Sequence, residues 1–127
     1  MPSYHLDHLV LTVQDIERTC LFYQQVLDIA SVSFGAGRKA LQLGQQKINL
    51  HTASQPFSPH ARHPVPGSAD LCLVTETPIP VLIERLHEHG VVILEGPVQR
   101  TGAQHTLLSI YIRDPDDNLI ELANVMT

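Results

Sequence analysis

DHLVLTV (7–13) and ADLCLVT (69–75) follow one design, and the fold turns on reading the second as a copy of the first. In the first run Leu9, Leu11 and Val13 alternate with His8, Val10 and Thr12, which is the period of a strand with one buried face. A helix-like segment follows each run. Asp15 is placed to cap a helix whose Ile16, Cys20, Tyr23 and Leu27 recur as one apolar stripe. After the second run, Thr77 stands as N-cap and Pro78 at the first helical position. Ile79, Leu82, Ile83 and Leu86 make the apolar face, and Gly90 is the stop.

Three short β-like runs complete each half. In the first they are 29–34, 39–43 and 47–52, punctuated by GAG at 35–37 and by Gly44. In the second they are 91–94, 107–113 and 119–125, with DPDDN (114–118) as the hairpin turn between the last two. The ends repeat as the starts do: KINLHTA (47–53) lies over LIELANV (119–125), matching Ile48 with Ile120 and Leu50 with Leu122. QPFSPHARHPVPGS (55–68) holds four prolines and no periodicity, a semi-stiff connection. The reading is an α+β fold, two βαβββ modules forming a curved mixed sheet with a cleft. It is one domain, with module one at 1–54, a linker at 55–68 and module two at 69–127.

Composition limits what such a domain does. The 127 residues, 43% hydrophobic and 17% charged, suit one globular domain with a core. A formal charge of −5 with scattered basic residues excludes the patch that would hold nucleic acid or an anionic membrane surface. No stretch has the length of a membrane span or the form of a secretory leader, so a cytoplasmic location is expected. Cys20 and Cys72 are far apart in sequence and are expected to be two reduced core residues.

The polar positions of the four matching strands carry the chemistry. With the large apolar residues facing a helix, His8, Asn49, Asp70 and Glu121 fall on the other face, where an imidazole and carboxylates make ligands for a divalent cation. His51, two residues past Asn49 on the same face, is an alternative nitrogen donor. Tyr111, Arg113 and Gln42 are expected on the same side as substrate contacts. His5, Asp7, His60 and His63 read as solvated or structural, and His87 and His89 as favourable charge at a helix C-terminus.

The opening DHLVLTVQDIERTCLFYQQVLDI, the closing YIRDPDDNLIEL and the two modules resemble the vicinal oxygen chelate superfamily, which includes glyoxalase I, extradiol dioxygenases, fosfomycin-resistance enzymes and bleomycin-binding proteins. GRKALQLGQQKINLH and PGSADLCLVTETP are similar to the glyoxalase-domain-containing protein 5 group, with its bacterial virulence-associated members. The resemblance implies metal ligands on the first and last strand of each module, at His8, Asn49, Asp70 and Glu121. Asp70 stands where the family commonly has a second histidine, and Asn49 where glyoxalase I has a carboxylate or glutamine. These departures favour hard cations, Mn²⁺ or Mg²⁺, over Ni²⁺, Zn²⁺ or Fe²⁺.

The implied activity is a glyoxalase-I-like lyase or isomerase. A metal on neighbouring substrate oxygens acidifies an adjacent C–H, and Glu121 serves as ligand and base. The substrate would be a small molecule, in one version a glutathione adduct. The alternatives are an extradiol-type dioxygenase, a fosfomycin-type transferase and a metal-free binding protein of the bleomycin-resistance type. Small members of the superfamily usually form homodimers, and a homodimer is expected here.

Overall fold

The structure, a computed structural model, describes residues 3–127. Its elements run β1 (His8–Val13), α1 (Ile16–Leu27), β2 (Ser31–Phe34), β3 (Arg38–Leu43), β4 (Gln46–Thr52), β5 (Asp70–Val74), α2 (Ile79–Glu88), β6 (Glu95–Thr101), β7 (Thr106–Arg113) and β8 (Leu119–Val125). The chain divides into two compact units, 1–68 and 69–127, and the proline-rich segment belongs to the first. Each unit is one βαβββ module with its own four-stranded mixed sheet. The strand orders are β1-β4-β3-β2 and β5-β8-β7-β6.

The duplication extends to the register. β1 lies parallel to β4 with Val10 beside Asn49, and β5 lies parallel to β8 with Cys72 beside Glu121. His8 and Asp70 therefore hold the same place relative to Asn49 and Glu121, two residues back along the neighbouring strand. Leu11, Val13, Ile48 and Leu50 are buried on one face of the first sheet, where α1 packs against β3 and β4. In the second module Ile110, Ile112, Ile120 and Leu122 are buried, and α2 packs on β7. The opposite face of each sheet carries the polar side chains.

Asp15 caps α1 as expected, accepting from the Arg18 N–H at 3.0 Å. The buried stripe is rotated from the sequence reading: Thr19, Tyr23 and Val26 are buried, whereas Ile16, Cys20 and Leu27 flank them half-buried. A small buried threonine lets the helix approach the sheet closely, so the apolar residues flank the contact line. α2 departs at its start. Thr77 makes no cap, and the Ile79 N–H donates 2.8 Å to Oδ1 of Asn124 on β8. The Asn124 amide donates onward to the Thr75 and Thr77 carbonyls, so a sheet residue holds the chain entering the helix. Gly90, at φ +68°, ends α2 as read.

The sixth strand is displaced from 91–94 to Glu95–Thr101. Residues 91–94 are instead the exit from α2, with the Val91 N–H bonded back to Leu86. Gly-Pro at 96–97 reads as a break, since proline cannot donate to a ladder. A register shift between Glu95 and Val98 absorbs it. Glycine is required at 96, where φ is +106° and a Cβ would collide with the Ser109 carbonyl.

The DPDDN turn is a buried polar knot. Asp114 accepts from the backbone N–H groups of Asp116 and Asn118 and from the Asn118 amide. Asn118 Oδ1 in turn accepts from the Ala69 N–H, which pins the chain next to Asp70. Among the described residues no helix is long and apolar enough to cross a membrane.

Candidate functional site

In module one, β1 presents His8 at the edge of the polar face. Asp7, read from sequence as solvated or structural, binds His8 Nδ1 at 2.8 Å. That contact is the main reason the exposed Asp7 carboxyl is held below its usual value. It also orients the ring through Nδ1, the arrangement that commonly positions a metal-binding histidine.

Asn49 and His51 follow on β4, and both are buried, at 5% and 7% exposure. Among the described residues neither Asn49 Oδ1 nor either His51 ring nitrogen has a hydrogen-bond partner. Burial is the first cause that lowers the His51 pKa, with the Arg38 and His60 charges adding to it. Gln42 lies on the same face, but its amide donates to the Gly44 and Gln46 carbonyls of its own hairpin, at 2.7 and 3.1 Å. Its amide N–H groups serve the turn.

In module two, Glu121 lies between Cys72 on β5 and Tyr111 on β7. Ser109, fully buried, donates to Glu121 Oε2 at 2.7 Å, which fixes one carboxylate oxygen. Cys72 is exposed, a correction to its reading as a core residue, because it shares the polar face with Asp70. Its thiol is pushed up to about 11, first by burial of the thiol and then by the charge and hydrogen bond of Glu121. Asp70, the first residue of β5, is exposed.

The Tyr111 hydroxyl accepts from Arg100 Nε at 2.8 Å, and Arg100 also pairs with Glu95 at 2.6 Å. The Tyr111 bond, ahead of the Glu95 and Glu121 charges, raises the Arg100 pKa. Arg113 is exposed at the far end of β7 and donates to the Asp117 carbonyl.

Each polar face thus carries an oriented donor, His8 in one module and Glu121 in the other. Among the described residues no three His, Cys, Asp or Glu side chains are gathered to hold a metal ion. What each module offers a divalent ion is a matter of donor chemistry: module one has an imidazole with one nitrogen anchored and the orphaned amide oxygen of Asn49, and module two a carboxylate with one oxygen anchored. Sequence reasoning missed Ser109, Cys72, Asp7 and Arg100. The first two had a legible signal, since both break apolar runs at the parity of Tyr111 and Asp70.

Two βαβββ modules, each with one polar sheet face, define a class of small α+β proteins, and the chain belongs to the Glyoxalase/Bleomycin resistance protein/Dioxygenase superfamily, whose family model matches residues 5–122. It is 54% identical over 118 residues to virulence protein STM3117 of Salmonella typhimurium, spanning 93% of this chain and 82% of that one. The crystal structure of that protein superposes with a TM-score of 0.95, covering 99% of this chain and 100% of the other. The chain is 53% identical over 119 residues to the glyoxalase domain-containing protein RDO1 of Mycosarcoma maydis, covering 94% of this chain and 67% of that protein. Lactoylglutathione lyase from Agrobacterium tumefaciens, 20% identical with a TM-score of 0.71 over 97% of this chain and 94% of that one, shares the fold.

Proposed function

We propose that the protein is a divalent-metal-dependent lyase or isomerase of the glyoxalase-I type, acting on a small substrate with neighbouring oxygens. The observation that carries this reading is the matched pair of held donors, His8 on Asp7 and Glu121 on Ser109. His8, Asp70 and Glu121 are the ligands in this reading, with Asn49 a weak fourth. A bound ion would polarise the two substrate oxygens and acidify the C–H beside them.

The chain's own residues do the rest. Ser109 holds one oxygen of Glu121, leaving the other to accept a proton. Cys72, with its thiol at about 11, stays protonated near neutrality and does not act as a nucleophile. Tyr111 and Arg100 place a hydroxyl and a positive charge beside Glu121 to orient an oxygen-rich substrate. Two free cysteines support placing the protein in the reducing cytoplasm.

The test is metal analysis of full-length protein purified without chelator or histidine tag, followed by assays on the methylglyoxal–glutathione adduct and on catechols. Stoichiometric divalent metal with isomerisation of the adduct is expected. Protein that neither retains nor takes up metal would overturn the reading, and so would turnover of catechol alone.

Asp70 sets the preference for hard cations, because carboxylate oxygen suits Mn²⁺ or Mg²⁺ better than imidazole does. Asp70→His should move the preference toward Zn²⁺, Ni²⁺ or Fe²⁺. An unchanged ranking in competition titrations would remove Asp70 from the ligand set.

The protein is further read as an isologous homodimer. β1 and β2 end one sheet and β5 and β6 the other, and sheet edges in soluble proteins are usually covered or paired. Sedimentation equilibrium at micromolar concentration should give twice the 14.1 kDa chain mass. A single species at the chain mass would exclude the dimer.

A further inference from the structure

The polar face of module one also holds Arg38, Phe34, Phe57 and His51, which the proposed reaction leaves unused, beside Asn49. Arg38, at the start of β3, stands across from His51 when the β3–β4 register is continued one pair beyond Lys39 and Leu50. Its guanidinium lies 4.6 Å from the Phe34 ring centroid and 4.2 Å from that of Phe57. Both rings lie within cation–π range, and such contacts use the face of a guanidinium and leave its N–H edge for an oxyanion. Among the described residues it has no hydrogen bond or ion pair, and no carboxylate neutralises it. Phe57, from the proline-rich segment, also packs on His51, with ring centroids 6.2 Å apart.

Beside this cation, three buried polar atoms stand without partners, Asn49 Oδ1 and both nitrogens of His51. Leaving such groups buried and unsatisfied is costly, so their retention together points to a ligand that satisfies them. Ala40, opposite Asn49 on β3, has no polar side chain to pair with the amide. Their chemistry specifies the ligand. Arg38 and the His51 N–H call for an anionic oxygen, Asn49 Oδ1 calls for a hydroxyl donor, and the exposed Phe57 ring offers apolar contact.

We propose that Arg38, His51 and Asn49, framed by Phe34 and Phe57, bind a small 2-hydroxycarboxylate that carries an apolar group. The site uses residues of module one only and needs no metal ion; it shares Asn49 with the lyase reading and no other residue. Phe57 makes the proline-rich segment part of the binding site as well as a connection. Inorganic anions lack the apolar group and bind more weakly.

The experiment is an NMR titration of the full-length protein in EDTA, with mandelate as probe and phenylacetate as the analogue lacking the hydroxyl. Mandelate should shift the His51 and Asn49 side-chain resonances saturably below about 20 mM, the weak range suited to so few contacts. It should bind at least about threefold more tightly than phenylacetate. Arg38→Gln should weaken binding at least about tenfold, with Arg38→Lys retaining part of it, and Phe57→Ala should weaken it about threefold. Asn49→Ala should equalise the two probes.

No saturable shift at His51, shifts confined to module two, or equal affinity in a folded Arg38→Gln variant would each overturn the proposal. Equal binding of mandelate and phenylacetate by the unmodified protein would overturn the hydroxyl assignment without recourse to any variant. Because metal is excluded throughout, none of these results depends on the lyase reading.

Discussion

Glu121→Gln and His8→Ala will each lower the affinity of the full-length protein for Mn²⁺ by at least about tenfold, the scale seen when even a supporting group of a metal site is removed. Glutamine keeps the shape of Glu121 and can still accept from Ser109, so the loss isolates the charge of the carboxylate. His8→Ala removes the only histidine on β1 and with it the nitrogen that Asp7 orients. Asp7→Asn should act in the same direction but less strongly, since its carboxylate supports the ring and does not itself bind the ion. Metal content measured after dialysis against the free ion reads all three. Unchanged content in both the Glu121 and the His8 variants would sink the metal site, whatever activity remains.

Asn118→Ala should destabilise the protein by about 2–4 kcal/mol, because one buried and one part-buried hydrogen bond are lost and at least one donor is left without a partner. The Asn118 side chain is 1% exposed, donates to Asp114 Oδ2 at 2.9 Å and accepts from the Ala69 N–H at 3.0 Å. Its removal orphans that N–H and takes a donor from a buried carboxylate. It also frees the entry to β5 next to Asp70. The neighbouring Asp117, at φ +67°, is a suitable control: Asp117→Gly relieves a left-handed conformation and should leave stability within about 0.5 kcal/mol. Urea unfolding of the two variants separates the cases. A loss below about 1 kcal/mol for Asn118→Ala would mean that the turn does not hold the sheet.

Most of the fold is legible because its signals are local. The alternation of Leu9, Leu11 and Val13 against His8, Val10 and Thr12, and its echo from Leu71 to Val74, identify the parallel strands that open the modules. Gly90 marks a helix end by its backbone alone. The misplaced sixth strand shows the limit of such signals: the Gly-Pro at 96–97 looks like a breaker, and only the bulge against β7 makes it part of a ladder. The cap of α2 lies further still from local reading, since Asn124 and Ile79 are 45 positions apart in the chain.

The polar face divides in the same manner. Strand parity alone assigns His8, Asn49, Asp70 and Glu121 to the side away from the helices, because side chains alternate with a period set by the backbone. What each of them touches was decided by tertiary structure. Ser109 reaches Glu121, Arg38 meets both Phe34 and Phe57, and Phe57 meets the buried His51, through the pairing of strands and the path of the proline-rich segment. Periodicity runs along the chain and can be read from it, whereas partnership depends on register and on side-chain reach between strands, which no single segment contains.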